Sequence, residues 1–439
     1  MKAHQLEMSF DEEGLLGEIC SLNNLQQAFK AVKRNKGIAG IDGITIEKYE
    51  ENLKQELTQL REEVLNWTYK PTPVKRVEIP KPNGKGVRLL GIPIIKDRVF
   101  HMAIKRKLEP HIDPTFSSNS YGFRPGRNQR QAIKAAQNIV NSGKEYVVDI
   151  DLSKFFDRIN HDRLIHRLGT HVKDKRVLRL IGMILRSGIM TANGVTVPLE
   201  GSVQGSPLSP LLSNIVLDEL DKELEQRGLE YCRYADDCNI FVKTEKAGER
   251  VMKSIKKFIE KKLKLKVNED KSQTAKSDRV KFLGMTIVHG YIAISKVALK
   301  KAMEKVKNLI PRGTHIPIEQ AIDQFNNWYR GWGAYFNITQ FPAQLQVIEA
   351  HVRRRYRARI VRQKKRPRSL FRLLRKRGVS NSIAAKTAYS NRGPWRTSHI
   401  RGMEQAYSKK WFKDYLGMLI LSEEDKEHWL PLNTWVKLT

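Results

Sequence analysis

Apolar and polar positions follow two different periods along the first 290 or so residues. Helical spacing, with an apolar residue every three or four positions, is clear at 22–35 and again at 212–224. Short runs with strand character lie between such segments. Two of them, "KRVEIP" and "VRLLGIP", flank "KPNGKG" and predict a hairpin with a basic tip. Because strands and helices interleave in this way, the sequence predicts a mixed α/β (α+β) region.

Capping residues set the expected limits of several elements. Pro210 suits the first turn of a helix that Gly228 would end. A further helix is expected from about 245 to 263, and a strand pair in "VKFLGMTIVHGYIAIS". Ser295 is a suitable N-cap for the helix that follows this pair. From this point the interleaved strands give way to helical, basic sequence, so we expect a domain boundary near residue 293.

The C-terminal third is helical and strongly basic. Between positions 350 and 403 there is no Asp or Glu, while Lys and Arg are dense. Aromatic and aliphatic residues interrupt this run, so it is not of low complexity. A softer boundary is expected near 368, which divides the chain into 1–292, 293–368 and 369–439.

Composition indicates the kind of partner. Lys and Arg total 80 against 47 Asp and Glu, a formal charge of +33. This excess favours a polyanion, most simply nucleic acid, with an anionic membrane surface as the competing interpretation. We expect no membrane span and no secretory signal, because no apolar run approaches the roughly 20 residues of a spanning helix. The 3 cysteines form no paired or C-x-x-C pattern, which favours a reducing, intracellular location and argues against a zinc site.

Two groups of carboxylates follow strand-like segments. Asp236 and Asp237 are adjacent in "RYADDCNIFVK", and Asp149, Asp151 and Asp157 lie in "VVDIDLSKFFD". A pair of Asp residues in a turn is usually only a solvated loop. If adjacent strands brought the two groups together, however, they could bind two Mg²⁺ ions about 3.5–4 Å apart, the arrangement used for in-line phosphoryl displacement. The absence of His and Cys ligands fits Mg²⁺, which favours carboxylates and substrate phosphates.

These motifs, in order, resemble those of one family. "GIAGIDG", "YKPTPVKRVEIPKPNG", "GIPIIKDR", "SYGFRPGRN", "VVDIDLSKFFDRINHD", "QGSPLSP", "RYADDCNIF", "LKVNEDKS" and "KFLGM" are similar to the conserved blocks of bacterial group II intron-encoded reverse transcriptases. The chain looks closest to the short group IIC class, which lacks an endonuclease domain. The resemblance implies a right-hand polymerase fold. Fingers and palm would occupy 1–292 with an N-terminal extension of about 1–45, a helical thumb (maturase domain) 293–368, and a basic DNA-binding segment 369–439.

Carried onto this sequence, the resemblance implies a catalytic triad. Asp151, Asp236 and Asp237 would hold two Mg²⁺ ions, with Mn²⁺ as a substitute, and the backbone of Leu152 would assist. Asp149 is the rival of Asp151. Family spacing favours Asp151, because it places Phe156 where the family carries the ring that excludes a 2′-hydroxyl. Phe155 is expected to lie in the core.

The resemblance also assigns a nucleotide-binding set. Lys81 and Arg88 on the basic hairpin would grip the triphosphate, with Lys85 as a local rival; "PNGKGVR" is one residue longer than in some relatives. Gln204 and Gly205 would lie against the sugar and base, although "SVQGSP" departs from relatives that have Pro before the Gln and Gly at Ser206. Lys271 would protonate pyrophosphate, against the alternative of a plain surface lysine.

Candidate contacts with nucleic acid lie in three segments. They are Arg124 and Arg127 of "SYGFRPGRN", the helix residues Arg353, Arg354 and Arg357 with Tyr356 beside them, and Trp395 and Arg396 of "YSNRGPWRTS". A solvated basic helix, or a buried structural tryptophan, would explain the same residues without a ligand.

The implied activity is RNA-directed DNA synthesis by a maturase that also binds its intron RNA. Expected partners are group II intron RNA, an RNA template with a DNA primer, target DNA and dNTPs, without a membrane. A splicing factor without polymerase activity, and a domesticated relative in repair or phage defence, are the alternatives. We expect a cytoplasmic, nucleoid-associated bacterial protein, either monomer or dimer.

Overall fold

The computed structural model describes residues 14–80, 86–191, 194–197, 200–202, 205–311, 313, 316–424, 426–431 and 434. The chain divides into two compact units, Met1–Ala275 and Lys276–Thr439. The hairpin at 285–294 therefore falls in the second unit, whereas the domain limits that we drew near 293 and 368 remain predictions.

The first unit combines helices with two four-stranded sheets, as the interleaved pattern predicts. Its helices are α1 Gly14–Cys20, α2 Leu22–Arg34, α3 Ile46–Glu51, α4 Leu53–Leu65, α5 Ile95–Ile112, α6 Gln129–Asn141, α7 His161–Leu168, α8 Lys175–Leu185, α9 Ser209–Gln226 and α10 Glu245–Lys261. Its strands are β1 Val74–Pro80, β2 Val87–Ile92, β3 Tyr146–Ile150, β4 Ile189–Thr191, β5 Gly194–Thr196, β6 Glu230–Tyr234, β7 Asp237–Val242 and β8 Gln273–Lys276, of which the last residue falls past the unit's limit.

One sheet has the order β6-β7-β3-β8. Its central strands β3 and β7 run antiparallel, with Tyr146 opposite Val242 and Ile150 opposite Cys238. Both strands are mostly buried, which explains why they appear in the sequence as apolar runs rather than as alternating patterns. This sheet carries the acidic residues of both strand ends.

The other sheet has the order β2-β1-β4-β5. The hairpin predicted from "KRVEIP" and "VRLLGIP" is confirmed, since β1 and β2 pair antiparallel from Lys75–Ile92 to Pro80–Val87. Lys75 and Arg76 on β1 and Arg88 on β2 are exposed, so these basic side chains lie in solvent. Residues 81–85 at its tip lie outside the described residues.

The helix limits follow local capping chemistry. Pro210 lies in the first turn of α9, as predicted, and Gly228 just after its end has a φ of 65°. The side chains of Asn128 and Thr244 accept hydrogen bonds from the first turns of α6 and α10. A continuous apolar core joins the helices to the β6-β7-β3-β8 sheet, which holds the strand ends in place.

The second unit begins with a hairpin and continues as helices. The N-cap predicted at Ser295 is confirmed, because its hydroxyl accepts a hydrogen bond from Ala298 N at 3.3 Å. The elements are β9 Met285–Val288, β10 Tyr291–Ile294, α11 Lys296–Leu309, α12 Ile318–Phe336, α13 Pro342–Gln363, α14 Pro367–Lys376, α15 Asn381–Ala388, α16 Gly393–Thr397 and α17 Arg401–Ala406.

Across the described ranges, no helix has both the length and the hydropathy of a membrane span. Cys20, Cys232 and Cys238 are buried and form no disulfide.

Candidate active site

The adjacent carboxylates lie on a tight hairpin between β6 and β7. Tyr234 pairs with Asp237, so that Ala235 and Asp236 alone form the loop. Ala235 has a φ of 57°, the sign that a type II′ turn requires at its first loop position, although a non-glycine residue rarely adopts it. The turn is therefore short and conformationally constrained, and it presents Asp236 at the end of the sheet.

A glycine from another part of the chain packs against this turn. A Cβ atom at Gly122 would lie 2.2 Å from the backbone N of Ala235, closer than any side chain could approach. Tyr121 N also donates to Arg233 O at 2.8 Å. The segment "SYGFRP" thus supports the turn by backbone contact, and this contact requires glycine at position 122.

Strand β3 brings the second acidic group to the same place. The last pair between β3 and β7 is Ile150–Cys238, so Asp151 and Asp237 follow on facing chains. The rival Asp149 lies two residues back, opposite the buried Asn239. The register therefore favours Asp151 over Asp149 as the partner of the Asp236–Asp237 turn.

The loop "NEDKS" holds Asp151 through both backbone and side chain. Asn268 N donates to Asp151 O at 2.8 Å, and Asp151 N donates to Ser272 Oγ at 3.0 Å. Asn268 Nδ2 donates to Asp151 Oδ2 at 2.9 Å, and Lys271 Nζ lies 3.2 Å from that oxygen. Lys271 thus lies beside Asp151, and its role toward pyrophosphate remains a prediction, whereas Asn268 and Ser272 were missed by sequence reasoning.

The electrostatics of the turn reflect closely placed like charges. Burial raises the pKa of Asp236, and the carboxylate of Asp151 acts in the same direction. The positive charges of Arg88 and Arg233 oppose this rise in pKa. Arg88 on β2 is exposed and near enough to act on Asp236, and its role beside a triphosphate remains a prediction.

The carboxylate set is chemically suited to a hard divalent cation. Among the described residues, no three His, Cys, Asp or Glu side chains form a preorganised metal cluster. Mg²⁺ does not need such a cluster, because it is typically bound by one or two carboxylates together with substrate phosphates and water. Burial and the nearby charge of Asp151 raise the pKa of Asp236, and a bound cation would relieve the repulsion between the two carboxylates.

The two adjacent phenylalanines have different environments. Phe155 is 3 % exposed and lies in the core, as predicted, whereas Phe156 is half-buried and meets it edge-on with ring centroids 5.2 Å apart. Ser202 N donates to Phe156 O at 2.6 Å, which joins this segment to the loop that leads to Gly205. Phe156 is therefore only partly enclosed, unlike Phe155.

Position 205 requires glycine because of its backbone conformation and a close backbone contact. Its φ is 129°, and a Cβ atom there would lie 2.3 Å from Gly91 O on β2. Ser206 Oγ forms a 2.9 Å hydrogen bond with His101 Nδ1, and burial lowers the pKa of His101 to about 3. The predictions for Lys81, its rival Lys85, and Gln204 fall outside the described residues.

Comparison with known proteins agrees with this geometry. Residues 79–287 match the model for "Reverse transcriptase (RNA-dependent DNA polymerase)", and residues 299–378 match "Group II intron, maturase-specific domain". Protein YkfC of Escherichia coli (strain K12) is 32 % identical over 305 residues, spanning 60 % of this chain and 80 % of YkfC. The group II intron-encoded protein LtrA of Lactococcus lactis subsp. cremoris is 28 % identical over 366 residues, spanning 68 % of this chain and 60 % of LtrA.

This chain belongs to the group II intron-encoded reverse transcriptases. The fold class and the family inferred from the ordered motifs are thereby confirmed. A solved structure, "Partial Cas6-RT-Cas1--Cas2 complex", is 28 % identical and covers 56 % of this chain and 42 % of that one, with a TM-score of 0.37. Its low TM-score adds nothing to the assignment.

Within this reverse transcriptase, the two arginines of "SYGFRPGRN" differ in role. Arg124 is 8 % exposed and donates to both carboxylate oxygens of Asp113 and to the carbonyls of Ser117 and Ser120. Its guanidinium is occupied inside the fold, so the expected contact with nucleic acid has no support from its position. Arg127 is half-buried; it donates to Ser118 O and lies over the ring of Tyr121.

The arginine run on α13 is largely internal to the fold. Arg355, Arg357 and Arg359 are buried and donate to main-chain carbonyls, Arg355 to Ile310 O and Arg357 to Tyr407 O. We expected Arg357 to contact phosphates, but its side chain joins α13 to the end of α17 instead. Tyr356, which we expected beside the helix for packing or stacking, is fully buried.

The other basic candidates keep some exposure. Arg353 and Arg354 are half-buried, and Arg354 lies over the ring of Trp395 at 4.0 Å from its centroid. Arg396 is exposed beside them. Trp395 therefore packs within the second unit, and Arg396 remains the most accessible of this group.

A groove of about 340 Å³ in the second unit was not predicted. Trp328 and Trp332 of α12 line it together with Lys281, Lys301 and Lys305. Aromatic faces next to lysines suit a nucleic-acid chain, because the rings can stack and the ammonium groups neutralise phosphates. The spacing of the tryptophans in "WYRGW" was the available signal.

Proposed function

We propose that this reverse transcriptase extends a DNA primer on an RNA template at Asp151, Asp236 and Asp237. The observation that carries the proposal is the register of β3 and β7, in which Asp151 directly after β3 faces Asp237 beside the Ala235–Asp236 turn. These carboxylates would hold two Mg²⁺ ions, with Mn²⁺ as a substitute. When bound, these ions would stabilise the attacking 3′-hydroxyl and the leaving pyrophosphate in an in-line displacement.

The surrounding residues would bind and orient the nucleotide. Arg88 would neutralise triphosphate oxygens with Lys81, and Phe156 would exclude a 2′-hydroxyl by contact with the sugar. Gly205 would keep the backbone close to the base, next to Gln204. Lys271, on Asp151 in this structure, would transfer its proton to pyrophosphate as that group departs.

The second unit would bind nucleic acid as a maturase. Its match to the maturase-specific domain and its lysine–tryptophan groove support binding of the parent intron RNA. Group II intron RNA, a template–primer duplex and target DNA are the proposed partners, in a bacterial cytoplasm near the nucleoid. The +33 charge predicts that binding weakens steeply with salt.

Primer extension on poly(rA)/oligo(dT) with Mg²⁺ tests the proposal. The wild-type protein should extend with dTTP, and Asp236→Asn should reduce extension by orders of magnitude while the melting temperature stays close to that of the wild type. Asp149→Asn is the matched control and should retain most activity. Full activity of Asp236→Asn would overturn the metal assignment.

A splicing factor without polymerase activity is the second candidate, supported by the maturase-domain match. A folded wild-type protein that binds intron RNA and promotes splicing, but extends no primer with Mg²⁺ or Mn²⁺, would establish it. Intron RNA sequence flanking the gene would favour a mobile element, and its absence would favour a domesticated relative.

A further inference from the structure

Arg233 is a fully buried charged residue directly before the Ala235–Asp236 turn. Its side chain is 0 % exposed, and its cation pairs with Asp221 of α9, which is also 0 % exposed. Two parallel bonds form this pair, from Nε to Oδ1 at 2.7 Å and from Nη2 to Oδ2 at 2.5 Å. A bidentate pair of this kind fixes the plane of the guanidinium.

The remaining donors of Arg233 reach the turn and its support. Nη1 donates to the carbonyl of Ala235 at 2.9 Å and to Asn214 Oδ1 at 3.1 Å. Nη2 also donates to Ser120 Oγ at 2.7 Å. One planar group therefore binds α9, the turn and the "SYGFRP" segment at once.

Asn214 links α9 to the "SYGFRP" segment that supports the turn. Its Nδ2 donates to Gly122 O at 2.9 Å, and Gly122 is the residue that packs on the backbone of Ala235. The turn is thus held from its carbonyl by Arg233 and from its amide side by Gly122. Both supports rest on the same helix, α9, through Asp221 and Asn214.

The geometry explains why arginine is needed here. A lysine ammonium could pair with Asp221, but it has no planar fork that reaches the carboxylate, Ala235 O and Ser120 Oγ together. The Ala235 carbonyl precedes Asp236 directly, so a shift of that peptide moves the Asp236 carboxylate. Displacements near 1 Å at a reacting centre can reduce rates by about 100-fold.

We propose that Arg233 is a positioning residue for the polymerase reaction, holding the Ala235 carbonyl so that Asp236 faces Asp151. Its role rests on the proposed function, because it acts through Asp236 and contacts neither nucleotide nor primer. Asp221 and Asn214 are its supports on α9.

The test separates positioning from stability by removing both charges of the pair. Arg233→Met/Asp221→Leu replaces the buried ions with apolar side chains of similar size, a change that buried pairs often tolerate. It leaves Ala235 O without its donor. Measurements are the melting temperature, the metal-free affinity for the template–primer duplex, kcat for dTTP, and the Mg²⁺ concentration that gives half-maximal rate.

We expect the double variant to fold and to bind the duplex like the wild type, with kcat lower by about tenfold or more and a higher half-saturating Mg²⁺ concentration. Leu180→Ala on α8 is the control for lost stability, since Leu180 is buried far along the chain from the turn; it should lower the melting temperature but not change the Mg²⁺ dependence. A folded double variant with wild-type kcat and Mg²⁺ dependence would overturn the proposal.

Asn214→Ala decides the case if the double variant does not fold. It removes one acceptor of Arg233 and the donor to Gly122 O but leaves the Arg233–Asp221 pair intact. Reduced kcat with unchanged duplex affinity supports positioning, and unchanged kcat contradicts it. An inactive wild-type protein would instead refute the proposed function, so the two failures are distinguishable.

Discussion

Lys271 Nζ lies 3.2 Å from Asp151 Oδ2, the same oxygen that accepts a hydrogen bond from Asn268 Nδ2. The loop 268–271 therefore supplies the Asp151 carboxylate with both a neutral hydrogen-bond donor and a cation. Because Lys271 is largely exposed, its ammonium can leave Asp151 when a cation or a phosphate takes its place. This relationship leads to the first two predictions.

Replacing Lys271 by Ala should lower kcat by about 100-fold or more, within the range for loss of a general acid. Duplex affinity should change little, because the side chain faces Asp151. Steady-state kinetics with dTTP and anisotropy with labelled duplex provide both values. Lys256→Ala, which removes a half-buried lysine paired with Glu269, should leave kcat unchanged; equal rates for Lys271→Ala and wild type would exclude the acid role.

Asn268→Asp should make stability more dependent on Mg²⁺. The change places a second carboxylate against Asp151 Oδ2 and removes a donor, which should cost about 1–3 kcal/mol of unfolding free energy without metal. Added Mg²⁺ should restore part of this loss, so the melting temperature should rise more than in the wild type. Asn268→Ala loses the donor without adding charge and should show no larger rise than wild type; identical shifts in all three proteins would contradict the prediction.

Gly122→Ala should damage the turn. Its Cβ atom would lie 2.2 Å from Ala235 N, so backbone must move, with a cost of about 1–3 kcal/mol or more and a loss of most primer extension. Gly182→Ala on α8 is the matched control, since its Cβ atom would meet only the end of the Arg186 side chain at 3.4 Å. Melting temperature and extension rate check both variants, and a fully active Gly122→Ala protein would show that the turn does not need this contact.

Phe156→Ala should relax sugar selection. Removing the accessible ring makes room for a 2′-hydroxyl, so incorporation of UTP relative to dTTP should rise at least several-fold. Competition assays on poly(rA)/oligo(dT) measure this ratio. Phe155→Leu, in the core, should reduce stability without changing the ratio; an unchanged ratio in Phe156→Ala would assign the selection to another residue.

His101 should make the protein sensitive to acid. Burial lowers its pKa from 6.5 to about 3, so the unfolded chain binds a proton more readily than the folded one. The stability contributed by neutral His101 is present above pH 6.5 and is lost as pH falls toward 3. Between pH 6.5 and 4.5 the loss should be about 2–3 kcal/mol.

Urea unfolding followed by circular dichroism tests this dependence. His101→Asn retains a group able to hydrogen-bond Ser206 but cannot titrate, so its stability should fall less on acidification than that of the wild type. His111→Asn, at an exposed position on α5, should follow the wild type. Parallel curves for His101→Asn and wild type would contradict the assignment.

The local sequence pattern was enough to predict several secondary-structure elements of this protein. The β1–β2 hairpin, the limits of α9 at Pro210 and Gly228, and the cap at Ser295 depend on residues close in sequence, so periodicity and turn chemistry predicted them. The order of the motifs indicated the family, and the adjacent Asp236 and Asp237 indicated an acidic turn. These features follow from short-range sterics and hydrogen bonding, which the sequence carries directly.

Tertiary structure alone decided which charges are internal. Arg124, Arg233 and Arg357 look like other basic residues in the sequence, yet each is buried, and Arg233 and Arg357 donate to acceptors in distant segments, Ser120 and Tyr407. The contacts of Gly122 with Ala235, and of Asn268 with Asp151, likewise join residues more than 100 positions apart. Burial and hydrogen-bond partners at such separations depend on how the chain packs, and no local pattern of residues contains that information.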